Sequence, residues 1–511
     1  MHRTLATAAL PLLLSSITGL AGSLVVTSVL GRHGTAALAA FALTMAVYQP
    51  ASMAVIGGLR GLGPFVAPHR DDPVAALPVL RDARWLALLI GTAGAAVVAC
   101  APLLAVVSGA GVSGFGALPY TLACSLLVTA ANGGVNTVLV ALGHSGKVLW
   151  ATIAGTVAVV VLVPLLVPWW GLTGAGLAFL CSSLAGAAVA NHALRRVLGR
   201  PVGRGRPRVQ EIRALAKVSL PLSGTMLIKF AGLGVMAYAA ARTGVTGSAA
   251  HAILYSLAGF LMLPALAVAQ AAVPEIARAD VGSVRGGASA RGGASARPAS
   301  ARGAASARGG AGSAGGGAGS VRGALGSAGG GAGQAPAGVD PAGGGAGQAH
   351  AGVDPAGGSA GQAHVGMDGA RGGVGFARRR VAGVALTLAA CGALAGAVLV
   401  LAFDGPLVRA FTGDEAVRAQ VSAVLVIMLV STLAEGASAV MGFGLTAVKR
   451  SGLSLRFLAI GWGLLAVAAG PVVGAWGLAG LWTAMLANNV LLMVLQGFGF
   501  LSATADRSLV S

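Results

Sequence analysis

Long apolar runs separated by short polar turns set the pattern of this chain. They fall at about 5–30, 37–63, 85–108, 117–142, 147–168 and 171–193. A second set lies at about 214–241, 248–275, 381–403, 418–446, 452–475 and 477–502. A helix needs roughly 20 apolar residues to cross about 30 Å of hydrocarbon, and every run reaches that length. Backbone amides inside a bilayer must be satisfied within their own segment, which selects helices over open strands. The first run, Leu5–Leu30, follows His2 and Arg3. It outlasts the roughly 7–15 apolar residues of a secretory signal and reads as the first membrane helix.

The loop charges test the count of twelve. With the N-terminus inside, Lys and Arg should gather in the cytoplasmic loops. The 2–3 loop carries Arg70, Arg81 and Arg84, the 4–5 loop Lys147, and the 10–11 loop Lys449 and Arg450. The 6–7 connection holds Arg195, Arg196, Arg200, Arg204, Arg206, Arg208 and Arg213. On the other side the 3–4, 5–6 and 11–12 loops have none, the 1–2 and 7–8 turns have only Arg32 and Arg242, and the 9–10 loop alone is mixed, with Arg409 and Arg418 beside Asp404, Asp414 and Glu415. An error of one helix would scramble this alternation. Both termini are therefore expected in the cytoplasm.

Composition agrees. The 511 residues are 56% hydrophobic and 9% charged, whereas about a quarter of a soluble domain's residues are charged. The net charge of +20 is explained by the loops and one biased insertion, and no nucleic-acid partner is expected. Cys100, Cys124, Cys181 and Cys391 all lie in apolar runs without a Cys-x-x-Cys pair. They are expected as buried free thiols rather than a disulfide frame or metal site.

The twelve runs repeat as six and six. Ala-Leu-Pro-Leu at 9–12 matches Ser-Leu-Pro-Leu at 219–222, and RHGTAALAAFAL at 32–43 matches RTGVTGSAAHAI at 242–253, both offset by 210. GLTGAGLAFL at 171–180 matches GLAGLWTAML at 477–486, offset by 306. The difference of 96 is close to the length of an Ala/Gly/Ser/Arg-rich segment at 280–378. One duplication followed by one insertion accounts for both offsets. The expected fold is thus an all-α polytopic membrane protein with twelve transmembrane helices in two pseudo-symmetric six-helix bundles, related by an axis along the membrane normal. The expected divisions are 1–193 as the N-terminal bundle and 194–213 as a basic cytoplasmic linker. Helices 7–8 occupy 214–279, a disordered cytoplasmic insertion 280–378, and helices 9–12 occupy 379–505. The insertion has too little apolar surface to offset its ordering entropy.

Charges inside hydrocarbon are costly and mark function. Two lie deep: Lys229 near the middle of helix 7, and Glu435 slightly cytoplasmic of the middle of helix 10. At 1.5 Å per residue they sit about 20 Å and about 17 Å from the cytoplasmic ends of their helices, a comparable depth. The sequence does not fix whether the two side chains face each other; if they do, they would form either a fixed ion pair, each charge offsetting the other's desolvation, or a proton switch at the carboxylate. Tyr48, Gln49, Asn132, Asn136, Gln270 and Asn488, with Asn489 beside it, are candidates for the wall of a substrate cavity, against the plainer role of interhelical hydrogen bonding. Aligning Ala131-Asn132-Gly133 with Ala434-Glu435-Gly436 makes Asn132 the first-half counterpart of Glu435. Pro11, Pro50, Pro221 and Pro264 lie in or near helices 1, 2, 7 and 8, where proline permits bending. No phosphate loop, metal-ligand spacing or nucleophile elbow is present, so neither an ATP-driven pump nor an enzyme is indicated. No metal or cofactor is expected.

Several of these motifs together resemble the multidrug and toxic compound extrusion (MATE) family of the wider drug and polysaccharide exporter group. They are Leu10-Pro11, Val29-Leu30-Gly31-Arg32-His33-Gly34 with Ala36-Ala37-Leu38-Ala39-Ala40, and their echo Arg242-Thr243-Gly244 with Ala249-Ala250-His251. Gly171-Leu172-Thr173-Gly174-Ala175 and Gly477-Leu478-Ala479-Gly480 look like the segments opening the sixth helix of each half. The resemblance covers nearly all of the chain outside 280–378. It implies two bundles around a V-shaped cavity in a bacterial plasma membrane, and a monomer exporting cationic, amphipathic compounds in exchange for Na⁺ or H⁺. By position, Glu435 matches the family's acidic residue on helix 10. Lys229 stands where some members have a Na⁺-binding Glu, and Val26 where others have a proton-binding Asp. These departures point to proton coupling through Lys229 and Glu435 rather than Na⁺ coupling. A lipid-linked saccharide flippase is the alternative, which would line its cavity with Arg or Lys, and a non-transporting membrane scaffold is a third reading.

Overall fold

A computed structural model of the protein describes residues 2–33, 35–103, 115–132, 134–199, 206–292 and 360–505. Among these there is no strand, and ten helices are long and apolar enough to cross a membrane. Two of the ten, Ser145–Leu198 and Ser451–Thr504, have 54 residues each. At 1.5 Å per residue each would run about 80 Å, far beyond a single crossing. Each is broken once, at Gly171 (φ 52°, ψ −131°) and Gly477 (φ 58°, ψ −146°). That combination is open essentially to glycine alone. Two breaks in ten helices give twelve spans.

The spans are α1 (His2–His33), α2 (Thr35–Arg60), α3 (Leu77–Ala99) and α4 (Leu118–Ala141, interrupted by a left-handed Gly134). The arms 145–170 and 172–198 about Gly171 are α5 and α6. They are followed by α7 (Val209–Ala241), α8 (Gly244–Gly292), α9 (Ala360–Ala402) and α10 (Glu415–Ala447). The arms 451–476 and 478–504 are α11 and α12. Asp414 sets the start of α10, its carboxylate accepting from the N–H groups of Ala416 (2.8 Å) and Val417 (3.3 Å), an N-cap that satisfies orphan donors of the first turn. Pro11, Pro50, Pro221 and Pro264 lie inside α1, α2, α7 and α8.

Some expected boundaries move. The 194–213 linker is shortened from both ends, because α6 continues to Leu198 and α7 begins at Val209. The flanks of the 280–378 insertion are helical, at 280–292 and 360–378, as extensions of α8 and α9; residues 293–359 lie outside the described residues. The four cysteines are free but exposed, not buried. They sit on apolar helices whose outer faces also carry exposed Leu89, Leu184 and Val398, the surface that hydrocarbon covers.

The repeat is visible in three dimensions, at the same offset of 306 each time. Gly171 and Gly477 carry the same break. Gly143 (φ 82°) and Lys449 (φ 59°) make the same left-handed turn. It is closed by His144 N–H to Leu139 O (2.7 Å) in one half and Arg450 N–H to Leu445 O (2.8 Å) in the other, the bond that terminates helices at such residues. Ser125 meets Ser183 between α4 and α6, as Ser431 meets Asn489 between α10 and α12.

Three apolar clusters hold the molecule. One belongs almost wholly to the first half, from Val26 to Ala178, and one to the second, from Met236 to Leu492. The third joins both halves, packing Leu5, Ala9 and Leu12 of α1 with Ala265–Ile276 of α8 and Val440–Ala447 of α10. These shared residues lie toward the ends of the helices where the Arg-rich loops emerge. There α2 and α7 also approach closely, because Gly58 and Gly61 leave room for Ser219 and Ser223. Ion pairs close the same end: Arg70 to Glu275 (2.9 Å), Arg278 to Asp71 (3.7 Å) and Arg208 to the buried Asp82 (2.7 Å). Lys449 stands 4.2 Å over the Phe65 ring. The halves are thus clasped at the basic end, and among the described buried residues no apolar cluster joins them at the other. Near that other end Tyr120, Trp169, Trp170, Tyr238 and Trp476 are exposed, as aromatic residues of a membrane interface are.

Candidate functional site

Inside the second bundle lies a cavity of about 240 Å³, walled by α7, α8, α10, α11 and α12, with Gly57 and Arg60 of α2 reaching in from the first half. Helical spacing makes the wall. On α10, Ser431, Glu435, Ser438, Gly442 and Thr446 recur every three or four residues and so share one face. On α12, Trp482, Met485, Asn489, Leu492 and Gln496 do the same. Most of the remaining lining is apolar: Leu222, Met226, Leu233, Met262 and Leu266 among others.

Lys229 and Glu435 meet in this cavity. The Lys229 ammonium donates to Glu435 Oε1 at 2.5 Å, and the two side chains keep 33% and 20% of their surface exposed. Each charge compensates the other where water is scarce. Arg60, in the last turn of α2, lines the same cavity and lies 5.8 Å from the Phe443 ring. Among the described residues no carboxylate pairs with it. Asn489 donates to the carbonyl (3.2 Å) and hydroxyl (3.0 Å) of Ser431, bracing α12 against α10. The buried Gln496 Oε1 has no hydrogen-bond partner among the described residues.

Of the polar residues expected around a cavity, Asn489 lines this one and the others lie outside it. Asn132 accepts from Asn191 Nδ2 at 2.6 Å within the first bundle. Tyr48 packs on the first bundle's core, Gln49 and Asn136 are exposed, and Gln270 is half-buried on α8. Asn488 faces Gly461 of α11, with both amide atoms lacking a partner among the described residues. Successive helical residues point about 100° apart, so its neighbour Asn489 takes the cavity face. Asn132 is also not the counterpart of Glu435. The offset of 306, fixed by the turns, the breaks and the Ser125/Ser431 contacts, sets Thr129 opposite Glu435, and the Thr129 hydroxyl bonds to Ser125 O within its own helix. The short Ala-Asn-Gly match was three residues out of register, almost one turn. Arg60 escaped notice because a basic residue at a helix end reads as a loop charge. Tyr255, Trp462, Trp482 and Gln496 had only their helical spacing to mark them.

A carboxylate already held by an ammonium can exchange a proton or a cationic partner. It presents no ready seat for a metal, and among the described residues no three His, Cys, Asp or Glu side chains cluster. What the fold and site define is a twelve-span, two-bundle membrane protein with one charged, amphipathic cavity in its second bundle.

Comparison with known proteins places that class. No family model matches the chain. A curated relative, the probable multidrug resistance protein NorM of Aromatoleum aromaticum, is 27% identical over 283 residues, covering 50% of this chain and 59% of that protein. The matched stretch thus spans about three-fifths of that relative. The Vibrio cholerae MATE transporter VcmN in its bent form is 17% identical, with a TM-score of 0.68, over 98% of this chain and 97% of its own. A multidrug resistance MATE family transporter in an outward-facing conformation is 15% identical, with a TM-score of 0.67, over 98% and 95%. The fold is that of the MATE transporters, and the resemblance carried by the sequence motifs is borne out.

Proposed function

We propose that this protein is a secondary active efflux transporter, not an enzyme, exporting amphipathic small molecules in exchange for protons by alternating access. One observation carries the reading: the two deep charges of the chain meet each other inside the apolar cavity. While Glu435 is ionised, carboxylate and ammonium hold α7 and α10 together. A proton taken up by Glu435 cancels that attraction and leaves the Lys229 charge alone in a half-buried wall. The helices then repack. Proton and cargo favour different packings of one cavity, and exchange requires only such a difference in affinity between two states. The ammonium already supplies beside the carboxylate the positive charge that a bound Na⁺ would bring, which supports H⁺ as the coupling ion.

The basic loops orient the clasped end toward the cytoplasm of a bacterial cell, with both termini there. The halves, which share no apolar cluster at the other end among the described residues, are then open to the outside. A lipid-linked saccharide would call for a cavity lined with several Arg or Lys side chains; the cations lining this one are Arg60 and Lys229, and Lys229 is held by Glu435. The test is dye efflux from a host lacking its own exporters. Efflux is expected to persist when Na⁺ is replaced by K⁺ and to stop when an uncoupler collapses the proton gradient. The opposite dependence overturns the reading.

A further inference from the structure

The cavity's ionisable groups do not balance. Lys229 and Glu435 neutralise each other, and Tyr255 is uncharged at neutral pH. Arg60, always protonated as arginine is in proteins, remains among the described residues as one cation without a carboxylate partner. It is the only cavity-lining side chain other than hydrogen at Gly57 that the first half supplies among the lining residues. Its position is defined: it stands over Phe443, and the side chain of Gln496 packs beside Gly442, the preceding residue of α10. Guanidinium and amide therefore share one level of the cavity, at its basic end. Glu435 lies eight residues earlier on α10, about 12 Å away along the axis at 1.5 Å per residue. Between the two levels the wall includes Leu222, Met226 and Met262.

The geometry points to an anion subsite at Arg60. The cargo carries a carboxylate, sulfonate or phosphate that the guanidinium grips, with an apolar body lying along the methionine- and leucine-lined wall toward Glu435. Gln496 adds an unmet acceptor at the same level, suited to a hydroxyl or protonated oxygen of that head group. A guanidinium is built for such oxyanions, gripping them through two parallel N–H bonds. The inference rests on this cavity being the transport site and departs from the cationic cargo that the family resemblance implies. Because Arg60 comes from α2 and the rest of the wall from the second bundle, an anion held there touches both halves at their clasp.

The rival role for Arg60 is to complement the C-terminal dipole of α2, which needs no ligand. Binding separates the two. The protein in nanodiscs is titrated with dansylamino-undecanoate and with a dansyl trimethylammonium of equal chain length. Binding is read as energy transfer from tryptophan, since Trp462 and Trp482 line the cavity, and empty nanodiscs correct for partition into lipid. The expected result is tighter binding of the carboxylate than of the ammonium. Arg60→Gln should weaken the carboxylate by about tenfold or more, as loss of a charge-assisted contact does, and should retain or tighten ammonium binding, because a like charge has been removed from the cavity. Arg60→Lys should restore most of the preference. Ammonium binding doubles as the control that the variant is folded. Equal carboxylate affinity in wild type and Arg60→Gln overturns the subsite, as does a wild-type preference for the ammonium. If the carboxylate binds through Arg60 but no gradient moves it, the transport reading fails and the subsite stands.

Discussion

Replacing Glu435 with Gln and Lys229 with Met, singly and together, isolates what their contact contributes to the fold. At the observed 2.5 Å and an effective dielectric of about 20, the direct attraction is roughly 7 kcal/mol. Most of it is offset by desolvation, for both groups left water to meet. The net value is smaller still because the side chains remain 33% and 20% exposed to the cavity. Each single variant leaves a half-buried charge without its partner, and should cost about 1–3 kcal/mol. The double variant removes both charges and should lose less than the sum of the singles by about 1–2 kcal/mol. The assay is reversible unfolding in mixed micelles of rising denaturing-detergent fraction, repeated for all four proteins. Additive losses, with no coupling, would mean that the pair does not hold α7 against α10 and that its opening cannot drive repacking.

Three further outcomes follow from the packing. Gly232→Ala should cost about 1–3 kcal/mol, because a methyl group there collides with the buried ring of Trp462, whereas Gly234→Ala meets nothing and should be silent in the same unfolding assay. Gly171→Ala and Gly477→Ala should each destabilise by about 1–3 kcal/mol through backbone strain at the breaks, with Gly463→Ala in the same long helix as the unstrained control. Asp82→Ala strips the buried acceptor from the backbone and guanidinium of Arg208. It should cost about 1–2 kcal/mol, kept low by the exposure of Arg208, and Asp82→Asn should recover part of the loss.

Twelve spans were legible in the sequence because hydrocarbon imposes one demand, length without charge, on every segment. The loop arginines then fixed the count. The two deep charges were legible for the same reason, since Lys229 and Glu435 stand out against apolar neighbours. Facing is a different matter. Which of Asn488 and Asn489 turns inward depends on the rotation of α12, which no local pattern in an apolar helix encodes. The pairing of Asn132 with Glu435 failed because three matched residues cannot fix a register, whereas Gly171 with Gly477 and Gly143 with Lys449 can, being tied to backbone geometry. Arg60 was hidden by its place at a helix end. Only the crossing of α2 over α7, permitted by Gly58 and Gly61, carries it into the other half's cavity.

The most direct test of coupling through the Lys229–Glu435 pair is proton movement in proteoliposomes, recorded with a pH-sensitive dye while a transported compound is added. Wild type should release protons from vesicles loaded at lower internal pH when the compound is supplied outside, equally in Na⁺ and K⁺ buffers, and Glu435→Gln should give none. Undiminished compound-driven proton movement in Glu435→Gln, or movement that requires Na⁺, would contradict coupling through this pair.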